Sequence, residues 1–324
     1  MRIGVVGCGR MGKERARSAV ALGHQLTAVY DPDRVKAEML ATGYADAQAF
    51  SHPHEIPWQE LDAVFICTPP SLRKEHELAA IGAELPFFVE KPIAIHASEC
   101  TRALTALHRT PIVHGVGYMN RCRNSVRIAR ESLAQTAILG ACCHWVGRKY
   151  KVDWWLQVDQ SGGPLNEQAT HAFDLFRFLV GEISAVAATA PDSTEGNGPP
   201  LSMACAVKFA EGQLGTIFYS CEAPDKHINL RIITTEGILE FDGWDLRLVV
   251  NTIDGNLPPA VDEDIFLAET AQFLAAVERN DPALVPCDLF DACRTQVAVD
   301  AARASLASGQ TVFLKNQAHL QTAV

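Results

Sequence analysis

The 324-residue sequence has no apolar run approaching the ~20 residues that a membrane-spanning helix needs. It has no C-x-x-C pair, although it carries ten cysteines; the nearest sets are the adjacent Cys142-Cys143 and the separated Cys287 and Cys293. Neither a disulfide framework nor a zinc site is expected from such spacing. Cys67 and Cys205 sit instead inside apolar strand-like runs. The cysteines read as small buried hydrophobes in a reducing compartment, and the cytoplasm is the expected location. Positive charge is short as well: 28 Lys and Arg against 38 Asp and Glu give a formal −10 at pH 7. That balance repels phosphate backbones and anionic lipid, so neither nucleic acid nor a membrane surface is an expected partner. No secretory layout is expected either, because Arg2 to Val6 reads at once as a strand running into a glycine turn.

What is present is an ordinary globular mixture, 48% hydrophobic and 20% charged, long enough for two domains. Short apolar runs at 3–6, 25–30, 63–67, 86–89 and 111–116 alternate with helix-forming stretches at 11–22, 34–41, 72–81 and 98–108. Such alternation predicts right-handed crossovers and a doubly wound parallel sheet covered on both faces. After Asn120 the texture changes. A helical stretch at 125–133, a strand at 141–146 and a helix at 165–179 precede six strand-like segments between 183 and 250. Their short turns suggest an antiparallel meander, the 191–200 stretch is a loop, and helices near 265–278 and 287–306 close the chain. The expected architecture is an α/β Rossmann domain, residues 1–119, followed by an α+β domain with a large, mainly antiparallel open sheet, residues 120–324.

Gly7-Cys8-Gly9-Arg10-Met11-Gly12 follows the first strand and opens the first helix. The first glycine permits the tight turn, the second lets backbone approach a pyrophosphate, and the third lets helix and strand pack closely. Asp31 ends the second strand, nineteen residues after Gly12. A carboxylate there accepts hydrogen bonds from ribose hydroxyls and repels a 2′-phosphate, so NAD is expected over NADP. Thr68-Pro69-Pro70 and Glu90-Lys91-Pro92 follow later strands and point at the same crevice. The former could wall the nicotinamide side or be a plain proline turn. A cis Lys91–Pro92 peptide would fix the direction of the lysine.

In the helix from Leu165, Glu167, His171 and Asp174 fall at i, i+4 and i+7, while Ala172, Leu175, Phe176 and Leu179 form an apolar stripe. An acid–histidine–acid row beside a core stripe can face a cleft, where the carboxylates would raise the imidazole's basicity and orient its ring. The same row also fits a salt-bridge ladder on a solvated face. No second histidine lies at helical ligand spacing, so metal is not expected. Asn120 and Arg121, just past the last Rossmann strand, are candidate substrate contacts. The stretch from Arg148 to Lys151 and the pair Trp154-Trp155 offer charged and aromatic surface suited to sugar rings, although paired tryptophans also serve packing.

Together these motifs resemble the glucose–fructose oxidoreductase / inositol dehydrogenase family, Gfo/Idh/MocA. The matching pieces run in order: Gly7 to Gly12, Asp31, Thr68-Pro69-Pro70-Ser71 with His76, Glu90-Lys91-Pro92, Gly117 to Arg121, and Gly162-Gly163 through His171 and Asp174. The resemblance implies an NAD(P)-binding Rossmann domain and a second domain whose open sheet mediates homodimers or homotetramers. It implies hydride transfer at a hydroxyl-bearing carbon of a sugar, inositol or related polyol. Arg10, Met11, Thr68, Pro69, Pro70, His76, Glu90 and Lys91 would line the cofactor site with the glycines and Asp31. Lys91 and His171 match the family's lysine and histidine, with Asn120, Arg121, Trp155 and Asp174 beside the substrate. Two departures stand out: Glu167 occupies a position that is commonly Asp, and Ser161-Gly162-Gly163-Pro164 replaces a glycine triplet. They bear on whether the substrate is inositol, and on whether Glu167 acts directly or only orients His171. An NAD-retaining glycosidase and a non-catalytic NAD sensor are the alternatives on the same scaffold.

Overall fold

Six short strands build the first sheet: β1 (Arg2–Val6), β2 (Gln25–Tyr30), β3 (Gln48–Phe50), β4 (Ala63–Ile66), β5 (Phe87–Val89) and β6 (His114–Val116). All pair in parallel, in the order β3-β2-β1-β4-β5-β6. Ile3, Val5 and Phe65 bury into one apolar cluster and Val6, Val64 and Ile66 into another, one on each face. That two-sided burial is why the strands read as continuous apolar runs. β3 was not anticipated, since Gln-Ala-Phe carries no apolar run. Helices α1 (Arg10–Ala21), α2 (Arg34–Ala41), α3 (Arg73–Gly82) and α4 (Thr101–Arg109) supply the crossovers. Strand order reverses between β1 and β4, which opens a crevice beyond their carboxyl ends. The computed structural model describes residues 1–191, 198–258 and 264–314; positions 192–197 of the expected loop and the last ten residues of the expected second domain lie outside them.

The second sheet has eight strands: β7 (Ile138–Arg148), β8 (Ile183–Thr189), β9 (Ser202–Phe209), β10 (Leu214–Ser220), β11 (Glu222–Thr234), β12 (Ile238–Asp242), β13 (Arg247–Asn251) and β14 (Val312–Phe313). Their order is β13-β12-β11-β7-β10-β9-β8-β14. It is not a simple meander, because β7 inserts between β10 and β11 and pairs in parallel with β10. One face is covered by α5 (Asn124–Leu133), α7 (Thr170–Leu179) and part of α9 (Leu289–Ser308), while the short α6 (Val158–Ser161) lies against the turn at Pro70–Leu72. The other face shows Leu139, Leu214, Phe218 and Phe313.

The closing helices return to the first sheet. In α8 (Ile265–Arg279), Phe273 packs on Phe65 and Phe88. Leu289 and Phe290 of α9 join the cluster around Ile66 and Val89. Arg15 of α1 is fully buried and fastens this return: it donates to Glu90 (2.8 Å), to Thr270 (3.0 Å) and to Glu269. Removing one member of such a buried set would cost about 3–5 kcal/mol by stranding its partners.

Candidate active site

At the crevice the three glycines do three different things. Gly7 has φ +95°, and a Cβ there would stand 2.8 Å from the Cys67 carbonyl carbon and the Thr68 nitrogen, so only glycine lets the end of β4 come this close. A Cβ on Gly12 would lie 1.9 Å from the Gly7 oxygen, fixing the approach of α1 to the turn. Above Gly9 nothing stands within 4 Å. Gly9 is also the N-cap of the twelve-residue α1 and supplies no side chain to its first-turn N–H groups. Open backbone at a helix N-terminus fits a pyrophosphate. Asp31 accepts from the Cys8 and Asp33 amides, both at 2.9 Å, tying the turn to the end of β2. The His76 ring lies 5.4 Å from that of Tyr30, immediately beside Asp31. Arg10 and Met11 sit in the first turn of α1.

Lys91 follows β5, and the Lys91–Pro92 peptide is cis. Its ammonium donates to the Glu167 carbonyl (2.8 Å) and stands 3.5 Å from the Glu167 carboxylate. Residues Leu165–Ala169 form a π-helical turn, a feature often found at functional sites, and α7 with His171 follows directly. The His171 ring stacks on Trp145 of β7 at 5.0 Å and 17°, with Tyr118 edge-on at 6.4 Å. Burial drives the His171 imidazole well below its ordinary value, and Lys91, Lys226 and Arg123 drive it further. The expectation that flanking carboxylates raise its basicity is therefore corrected: Glu167 is taken by Lys91, Asp174 by Arg121, and Trp145 orients the ring. Burial and these cations disfavour the protonated ring, and its Nδ1 is buried without a hydrogen-bond partner among the described residues. Burial raises the Glu167 carboxyl, and Lys91 and Arg73 oppose the rise.

Several expected contacts lie elsewhere. Asp174 is 1% exposed and holds Arg121 with both oxygens, at 2.6 and 3.0 Å; Arg121 also binds Asp291 and the Pro286 carbonyl. The two expected substrate contacts thus face each other inside the protein. Trp155 is 1% exposed, behind Tyr150 at 5.5 Å, in the core rather than on a sugar-facing wall. The Glu90 carboxylate points inward to Arg15 instead of toward a cofactor. Asn120 accepts from Arg123 at 2.9 Å, and its amide nitrogen is buried without a partner among the described residues. Thr68 shows the same for its hydroxyl. Pro70 is buried in the turn after β4, with Pro69 capping it.

Other positioning residues gave no signal in the sequence. The buried Arg73 donates to the carbonyls of Thr68 (2.8 Å), Glu90 and Pro92, clamping together both loops that reach the crevice. Asn166 donates to the Ser161 (2.8 Å) and Ala94 (3.0 Å) carbonyls and accepts from Gln296 (2.7 Å). A Cβ on Gly162, at φ +77°, would strike the Asn166 side chain at 2.6 Å, which accounts for a glycine before the π-turn. All ten cysteines are free thiols. Among the described residues no helix is long and apolar enough to cross a membrane.

Comparison with known proteins agrees with this fold. A family model described as an oxidoreductase family with an NAD-binding Rossmann fold matches residues 1–118, and the GFO/IDH/MocA C-terminal domain matches residues 135–240. Inositol 2-dehydrogenase of Acidothermus cellulolyticus is 31% identical over 208 residues, covering 62% of this chain and 60% of that protein. The 2,7-anhydro-N-acetylneuraminate hydratase of Escherichia coli is 27% identical over 227 residues, covering 66% and 60%. The chain therefore spans about 60% of the length of these curated relatives. The crystal structure of GenD2 from gentamicin A biosynthesis, in complex with NAD, has the same fold: TM-score 0.84 at 22% identity, over 98% of this chain and 97% of that one.

Proposed function

The chain belongs to the GFO/IDH/MocA oxidoreductase family, and on that premise we propose that it is an NAD-dependent dehydrogenase acting on a hydroxyl-bearing carbon of a sugar, inositol or related polyol. One observation carries the reading: the Lys91 ammonium, after β5, is held at 2.8 Å by the Glu167 carbonyl in the π-turn that leads directly into α7 and His171. NAD, when bound, supplies the hydride acceptor. The open backbone at Gly9 and the first turn of α1 would hold its pyrophosphate, with Gly7 and Gly12 shaping the turn, and Asp31 would select the unphosphorylated ribose. His171, whose protonated form burial and neighbouring cations disfavour, takes the hydroxyl proton as general base. The Lys91 ammonium stabilises the oxygen as negative charge develops on it. Glu167 aims Lys91 and compensates its charge. The buried Asn120 amide nitrogen, without a partner among the described residues, supports a role for it in meeting a substrate oxygen.

Exposed apolar residues on the outer face of the second sheet, among them Leu214 and Phe218, support a homodimer or homotetramer, and the free thiols support a cytoplasmic location. The test is a panel of sugars and polyols with NAD, followed by nicotinamide absorbance and product analysis. Net reduction with a ketone product is expected. Bond cleavage without net reduction would instead indicate an NAD-retaining glycosidase, and silence across a broad panel a sensor.

A further inference from the structure

A cavity of about 490 Å³ is lined by Arg148, Lys149, Tyr150, Lys151, Asp225 and Lys226, and Lys226 lies over Trp244, whose ring meets Trp145 beside His171. The cavity is built by an irregularity in the sheet. Between two paired positions β7 moves from Arg148 to Val146, while β11 moves from Glu222 to His227, so the residues before His227 are thrown out of the ladder. Bulges of this kind re-aim side chains beside active sites. Arg148 ties the bulge down through the Pro224 carbonyl and the Asp225 carboxylate (2.8 Å). Lys226 stays exposed there, with its ammonium 3.8 Å over the Trp244 ring and 5.9 Å from that of Tyr150.

The charges here are one-sided. Arg148 with Asp225 is the only ion pair within the lining among the described residues, which leaves Lys149, Lys151 and Lys226 without a carboxylate. Burial lowers the affinity of Lys226 for its proton, and the like charges of Arg10 and Lys91 lower it further. In a chain of net charge −10, a concentration of cations around a concave, partly desolvated space is unfavourable until an anion enters.

Resting on the dehydrogenase reading, we infer that the substrate is a sugar bearing an anionic group, phosphate or carboxylate, which sits between Lys226 and the pair Lys149 and Lys151 while the reacting carbon lies at His171. Ammonium groups on flexible stems bind such groups as point charges. The Trp244 and Tyr150 faces hold Lys226 in place by cation–π contact.

The experiment compares a hexose, its 6-phosphate, its 6-carboxylate and a nucleoside-diphosphate hexose with the NAD-loaded protein, by calorimetric binding and by nicotinamide reduction. An anionic member should exceed the neutral hexose in kcat/KM by about tenfold or more, with a preference that falls as salt rises. Which of the charged members leads tells phosphate from carboxylate. In Lys226→Met, which keeps the apolar stem over Trp244, the anionic-to-neutral ratio should collapse, and in Lys149→Met/Lys151→Met it should shrink. Equal kcat/KM for neutral and charged sugars, or a ratio indifferent to Lys226→Met, overturns the inference and leaves the dehydrogenase reading standing. A loss of NAD affinity in Lys226→Met matching the loss for the sugar also overturns it, since the cations would then serve the cofactor. Lys226-dependent binding of an anionic sugar without nicotinamide reduction keeps the anion site and defeats the dehydrogenase reading.

Discussion

The ammonium of Lys91 lies 2.8 Å from the backbone carbonyl of Glu167 and 3.5 Å from its carboxylate, so a lysine at the end of the first sheet is held by the turn that launches His171. If both groups act on one substrate oxygen, Lys91→Met and His171→Asn each lower turnover by about 10²–10⁴-fold. The double variant is expected to be far less impaired than the product of the two single effects, because the groups serve one step. Steady-state rates with NAD saturating check this; near-normal turnover in a folded, NAD-binding His171→Asn removes the mechanism.

The depressed imidazole sets a pH window. A general base must be unprotonated, and burial plus neighbouring cations hold His171 well below the ordinary histidine value. The acid limb of kcat/KM should therefore lie below pH ~6.5, with activity falling as pH drops through the lowered value. Lys91→Met removes one of the cations, so in its residual activity that limb should move upward. A limb unmoved by that change, in a pH–rate profile of both proteins, argues against the pairing.

Cofactor choice is expected to turn on Asp31, whose oxygens accept from the Cys8 and Asp33 amides. Asp31→Ser weakens NAD binding and relieves repulsion of a 2′-phosphate, so the NAD-to-NADP affinity ratio should narrow. Titrating both cofactors by intrinsic fluorescence measures it. Tighter NADP than NAD binding in the wild type defeats the assignment.

How legible the site was depended on the range of the interactions that make it. The glycine turn and Asp31 are local patterns whose geometry is carried by backbone conformation, and both emerged from spacing. The i, i+4, i+7 count from Glu167 to Asp174 treated the segment as one continuous α-helix. The π-turn at Leu165–Ala169 breaks that phase, and Asp174 turns to Arg121, fifty-three residues earlier in the chain. Arg73, Trp145 and Lys226 act through contacts that exist only once distant segments pack, and β7 reaches its place between β10 and β11 by pairings no turn motif announces.

The open face of the second sheet leads to an assembly prediction. Leu214 and Phe313 are 64% and 74% exposed, with Leu139 and Phe218 also on the surface. These exposed apolar side chains, set among a few charged ones such as the paired Arg231 and Glu240, are expected to pair with their own copy. Light scattering at micromolar concentration should give a dimer or tetramer, and Phe218→Glu should shift it toward monomer. A 35.2 kDa species alone in the wild type runs against the expectation.

Asp174 separates a structural from a substrate-binding role. Its carboxylate is 1% exposed, accepts from Arg121 at 2.6 and 3.0 Å and from the Thr295 hydroxyl at 3.1 Å. Arg121 keeps Asp291 as a second partner, but Asp174→Leu leaves part of a buried guanidinium unpaired and inserts a branched apolar group among polar ones. The cost expected for breaking a buried pair from one side is about 3–5 kcal/mol. Thermal melts of the NAD-bound protein should show a large drop in Tm, with KM near the wild-type value at temperatures where the variant remains folded. A substrate contact would give the reverse, a raised KM at unchanged Tm, and would return Asp174 to the cleft.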